Sequence, residues 1–161
     1  MSIRLVIVLL LTLPLCGCSQ WQLPGISHSP CHGLVYGEGG IAKEKYLPCA
    51  EKILNTMANL DRSLEDYGAG NDRGRVEALH QMYDLRRLVA EAGGVKKLRS
   101  GWDDPRVRTM NDAMCDAYEV YGLETFSYGN PWKQLREYSQ HNHNLAKTAA
   151  ARARLYYTLA K

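Results

Sequence analysis

Apolar residues recur along this chain at alternating spacings of three and four. Ala50, Ile53, Met57, Leu60, Leu64 and Tyr67 form the first such stripe. It predicts an amphipathic helix over about Leu47 to Tyr67, with Pro48 tolerated in its first turn. The glycines of "GAGNDRG" break it. A second helix is predicted over about Arg75 to Ala92, with Ala78, Leu79, Met82, Leu85 and Val89 on one face and a stop at Gly93-Gly94. "VKKLRSGW" is ambiguous between loop and a short helical turn. Asp104 as N-cap and Pro105 at the first helical position then open a third helix, in which Val107, Met110, Met114, Ala117 and Tyr121 repeat the spacing up to Gly122. Asn130-Pro131 opens a fourth by the same logic. Its stripe is broader and less apolar, running through Leu135, Tyr138, Asn142, Leu145, Ala149, Arg152 or Ala153, Tyr156 and Leu159 to the chain end. At the usual helical rise it reaches roughly 40 Å.

Four amphipathic helices with short connections predict an all-α chain folded as an antiparallel bundle of about four helices. No self-similarity at solenoid periods is present. The length of the fourth helix leaves two arrangements open. Its end, "AKTAAARARLYYTLA", either projects beyond the bundle, offering Arg152, Arg154, Tyr156, Tyr157 and Leu159 as a partner-binding tip, or folds back and completes the core.

Ahead of the helices the chain has a different character. Arg4 is a positive n-region, Ile3 to Leu13 an apolar run of h-region length, and Leu15-Cys16-Gly17-Cys18 follows. The run is too short to span a bilayer, which takes about 20 apolar residues. Cutting before Cys16 would place bulky Leu15 just ahead of the cut, whereas cutting before Cys18 places Gly17 there. Residues 1–17 are therefore expected to be removed. From Ser19 to about Gly40 the Gly, Pro, Ser and His of "QLPGISHSPCHGLVYGEGG" predict a tether and loop, leaving 41–161 as the helical domain.

Leu15-Cys16-Gly17-Cys18 resembles the lipobox of bacterial lipoproteins, over about twenty residues. The resemblance implies cleavage by signal peptidase II, lipidation of Cys18 and attachment to a membrane by that anchor. In the family's sorting rule an aspartate after the cysteine retains the protein in the inner membrane; Ser19 stands there instead, which implies the periplasmic face of the outer membrane. Two or three acyl chains hold durably, each methylene adding about 0.8 kcal/mol. An ordinary secretory signal would leave the protein in the same compartment, unattached.

Composition narrows the classes further. The chain has 20 Lys and Arg against 17 Asp and Glu, and the leader carries one of the basic residues. A nearly neutral domain is no nucleic-acid footprint. From Pro131 onward Lys133, Arg136, Lys147, Arg152, Arg154 and Lys161 face Glu137 alone. Such a cationic end suits anionic lipid phosphates, lipopolysaccharide or an acidic partner, or is a solvated helix face. Ten tyrosines and three tryptophans against one phenylalanine suit interfaces or wet bundle edges equally.

With Cys18 acylated, Cys31, Cys49 and Cys115 remain. In an oxidising compartment three thiols suggest one disulfide and one spare. Cys31 sits before the first helix and Cys49 at its start, so these two are expected to pair, and Cys115 beside Met114 to be a buried small apolar residue.

Candidate chemistry is sparse. Glu77 and His80 have the spacing of a di-iron bundle motif but lack the matching pair, so Glu77 is expected in solvent and His80 partly buried. Glu137 and His141, four apart, find no further acid. His28, Cys31, His32, His141 and His143 hold donor atoms for zinc or copper without the spacing of a closed site, and pairing of Cys31 removes its thiolate. "CH" at Cys31-His32 lacks the second cysteine of a haem attachment. "YGEGG" has no Lys-Ser/Thr behind it, and no nucleophile elbow or glycosidase carboxylate pair is present. No catalytic residue, metal or cofactor is assigned. The expectation is a binder: an accessory lipoprotein serving an envelope protein partner, similar in organisation to small helical pilotin-type lipoproteins. A periplasmic metal or small-ligand binder is the alternative.

Overall fold

The structure, a computed structural model, describes residues 29–32, 34, 43–100, 102–123 and 140–161, with Gln140 and His141 as backbone only. The expected leader, Cys18, most of the tether and the start of the fourth predicted helix lie outside these residues. The described residues form five helices: α1 Lys43–Gly68, α2 Asp72–Glu91, α3 Gly94–Ser100, α4 Pro105–Val120 and α5 Gln140–Ala160. The all-α bundle expected from the periodicity is the fold.

α1 packs between α2 and α5, α4 packs along α5, and short α3 links α2 to α4. α1 and α4 run the same way: Lys43 meets Asp104 at one end, 3.9 Å apart, and the Tyr121 hydroxyl donates to Asp61 at the other. α5 runs back against both. Near the chain end the Arg106 guanidinium donates to the Leu159 carbonyl, 3.0 Å. The stripes of α1, α2 and α4 meet in one core whose largest fully buried side chains include Tyr46, Ile53, Met57, Leu60, Leu85, Leu88, Met110 and Met114.

Three local departures from expectation have physical causes. α1 starts at Lys43 and so holds Pro48 inside it rather than in its first turn; burial of Tyr46 and Cys49 against the core draws the helix back by a turn. α2 starts at Asp72, within the stretch read as a breaker, because Asn71 caps it by accepting from the Arg73 N–H, 3.0 Å. Gly74 then lies in the helix and brings α2 close to α1: a Cβ there would stand 2.7 Å from the Tyr67 nitrogen and 2.9 Å from the Ser63 carbonyl. The glycine is a packing device, not a stop. "VKKLRSGW" resolves into α3, with Leu98 fully buried.

The third departure lies in α5. Of the stripe expected to face inward, Leu145 and Leu159 are turned away while Ala149, Ala153 and Tyr156 pack on the core, and His143, Ala146, Tyr157 and Ala160 are buried beside them. α5 is pressed against two neighbours at once, and alanine lets helix backbones approach where leucine would hold them apart. Leu145, Leu155 and Leu159 are left 47, 59 and 49% exposed.

Candidate functional site

The five residues expected at a partner-binding tip do not share one surface. The tip does not project: α5 folds back along the bundle, the second of the two arrangements. Tyr157 is buried, with its ring 4.8 Å from the Lys161 ammonium, and Tyr156 is half-buried against the core. Neither is the open aromatic that the tip required, because the turn of α5 that carries them faces α1 and α4. Leu159 remains half exposed, in line with Leu155 and, at the other end of the helix, Leu145.

α5 and the residue after it carry no acidic side chain. Their cations reach acids or amides on the neighbouring helices. Lys147 bridges to Glu65 on α1, Arg152 to Asp116 on α4 at 2.6 Å, and Lys161 to Glu51 at 3.8 Å. Arg154 donates to the Asn55 side-chain oxygen at 2.7 Å. The Lys147 ammonium, bonded to Glu65, holds that carboxyl below the usual carboxylate range. Asp116 is shared with Arg99, which also reaches Asp112 and Glu119. Burial works against the Arg99 charge, but hydrogen bonds to Glu119 and Asp116 outweigh it and its pKa rises.

The buried polar groups are spent between helices. On one level the Tyr46 hydroxyl donates to the Asn111 side-chain oxygen, 2.5 Å, and the Asn111 amide donates to the Leu98 carbonyl, 3.0 Å. This joins α1, α4 and α3. On another, the Tyr121 hydroxyl after α4 donates to Asp61 Oδ1 on α1, 2.6 Å, while His143 Nε2 on α5 stands 3.3 Å from the same oxygen. Asp61 and His143 are both buried. Burial pushes the Asp61 carboxyl above its ordinary value, against the Tyr121 bond and the nearby His143 and Lys147.

The sequence names His143 as a donor and Tyr121 as a stripe position, but not Asp61. A signal was present, since Asp61 interrupts the apolar face of the first helix beside Leu60 and Leu64. His80, expected partly buried, is exposed, on the side of α2 away from the buried Ala78, Leu79 and Met82, and Glu77 accepts from Gln81, 2.6 Å. Among the described residues no three His, Cys, Asp or Glu side chains gather as metal ligands. His28 and the His141 side chain lie outside them, as does Glu137.

Cys31 and Cys49 form a disulfide with Cα atoms 4.7 Å apart, both fully buried. It clamps the turn Ser29–His32 onto α1, where the His32 N–H donates to the Ser29 carbonyl, 2.8 Å. Cys115 is free and buried, and burial pushes its thiol up to about 12. No helix among the described residues is long and apolar enough to cross a membrane.

No protein-family model, curated protein or solved structure matches the chain.

Proposed function

We propose that the protein is an accessory lipoprotein of the cell envelope. It is acylated at Cys18, held by that anchor at the periplasmic face of the outer membrane, and its helical domain acts as an adaptor. It helps to assemble, localise or regulate a secretion, appendage or signalling system of the envelope. One observation supports an adaptor above a catalyst: the buried polar side chains bond helix to helix, as in Tyr46 to Asn111 and Tyr121 to Asp61. Polar chemistry spent in this way fixes the bundle's shape. What the chain then offers to other molecules is its surface. The Cys31–Cys49 disulfide agrees with an oxidising compartment and seats the root of the tether firmly on α1.

The test is affinity capture of the full-length protein from crosslinked envelopes, with Cys18→Ala as the control and mass spectrometry of the bait's N-terminus. An acylated Cys18 with one envelope protein enriched by the wild type alone supports the reading. An unmodified cysteine removes the anchor, and the absence of any specific companion removes the adaptor.

A further inference from the structure

We infer that the outward face of α5 lies against the anionic lipid surface of the membrane that holds the chain. The inference rests on the proposed acylation of Cys18 and names the surface that the anchored domain turns to the bilayer.

The first support is the apolar character of that face. Leu145, Leu155 and Leu159 are about half exposed, and the one other large apolar residue so open among the described residues is Val76, on α2. Thr148 and Ala151 continue the face between them, both exposed and neither charged. Helical spacing places Leu145, Thr148, Ala151, Leu155 and Leu159 on one side of the cylinder.

Charge is the second support. The apolar line is flanked by Lys147 and Lys161 on the side of α1 and by Arg152 on the side of α4, on a helix without a single acid. Their bridges are exposed, with the three cation side chains 55, 57 and 54% open. Exposed bridges contribute little, so each cation can turn to a phosphate while its stem lies along the apolar line. An apolar line edged by cations is the pattern of a helix lying in a membrane interface.

The third support is reach. Cys18 lies thirteen residues before Cys31, and the disulfide fixes Cys31 to α1. The domain is thus held within roughly 40 Å of the bilayer at about 3.3 Å per extended residue. The tether root at Cys49 is at the same end of the bundle as Leu155 and Leu159, where Lys161 meets Glu51. Tethering makes the contact intramolecular, so a face too weak to bind vesicles from solution still docks. α2, packed on the other side of α1, then points away from the membrane.

The test uses the acylated full-length protein reconstituted into vesicles of phosphatidylcholine, with or without phosphatidylglycerol. A nitroxide is placed at Leu155→Cys or, as the opposite-face control, at Val76→Cys, and its accessibility to a water-soluble relaxant is read. The expected result is several-fold protection of position 155 in the anionic vesicles alone, with position 76 unchanged. Lys147→Gln with Lys161→Gln should lower the ratio of docked to undocked protein by roughly tenfold at low salt. Equal accessibility in both vesicles, with Cys18 acylated by mass spectrometry, overturns the inference and leaves the anchored reading standing. An unacylated Cys18 overturns both. Protection that requires an added envelope protein assigns the face to a protein and overturns the lipid assignment.

Discussion

Asp61 on α1 and His143 on α5 meet inside the bundle, Oδ1 to Nε2 at 3.3 Å, with the Tyr121 hydroxyl donating to the same oxygen at 2.6 Å. A carboxyl whose burial raises its pKa holds its proton more tightly in the folded chain than in the unfolded one. Stability is then greatest below the unfolded carboxyl value, about 4. It falls as pH rises from there through the raised folded value, and is flat above it. Asp61→Asn keeps an oxygen for Tyr121 and removes the titration. The variant should therefore gain stability relative to wild type as pH rises through that window, read from urea midpoints between pH 3.5 and 7. A constant difference across the range would mean that folding leaves the Asp61 carboxyl at its unfolded value.

Tyr121→Phe tests the same junction from the other side. It leaves the buried carboxylate one donor short, at a cost of about 1.5–3 kcal/mol for a hydrogen bond to a charged group. The loss should shrink in the Asp61→Asn background, where the acceptor is neutral. A double-mutant cycle by chemical denaturation measures that coupling.

The disulfide joins residues 18 positions apart in sequence. Its removal by Cys31→Ser with Cys49→Ser should cost about 3 kcal/mol on the chain-entropy account. The helical far-ultraviolet signal should survive at low temperature, because the contacts of α1 with α2 and α5 do not depend on it. Thermal unfolding followed by circular dichroism checks both statements.

Gly74→Ala places a methyl 2.7 Å from the Tyr67 backbone nitrogen and 2.9 Å from the Ser63 carbonyl. On an exposed helix this change would stabilise by about 1 kcal/mol. Here the clash is with backbone, and overpacking should reverse the sign to a loss of about 1–3 kcal/mol. A stabilised variant would show that α1 and α2 are not in the close contact described.

What could be read from sequence divides along physical lines. Asp104 and Pro105, the Gly93-Gly94 stop and the stripes of α1, α2 and α4 are local signals, and each appears where expected. Gly74 looks the same in sequence whether it ends a helix or lets two helices touch; only the partner decides. The face that α5 buries is only partly legible for a related reason: Ala149, Ala153 and Tyr156 pack as expected, whereas Leu145 and Leu159 do not. Along α5 the packed side carries Ala146, Ala153 and Ala160, which let the helix approach α1 and α4, and Leu145, Leu155 and Leu159 stand outside. Periodicity cannot tell how many neighbours there are. Of the candidate site, Arg152, Arg154 and Leu159 remain at the surface, and Tyr157 was lost to the core by the same rotation.

Cys115 offers a probe of the α3–α4 contact. Its Sγ lies 4.0 Å from the Val95 carbonyl, and burial raises the thiol from its ordinary value of 9.0 to about 12. The thiolate is the reacting species, so at pH 8 its population is about a thousandfold below that of an open cysteine. Alkylation of the native protein should therefore wait for unfolding, and its rate should track global stability across a urea series. A modification rate independent of urea would mean that α3 lifts from α4 by itself. That outcome would place the least stable joint of the bundle at Val95 and Leu98, and would predict that Asn111→Ala, which breaks the Asn111 bond to the Leu98 carbonyl, speeds alkylation before it lowers the urea midpoint.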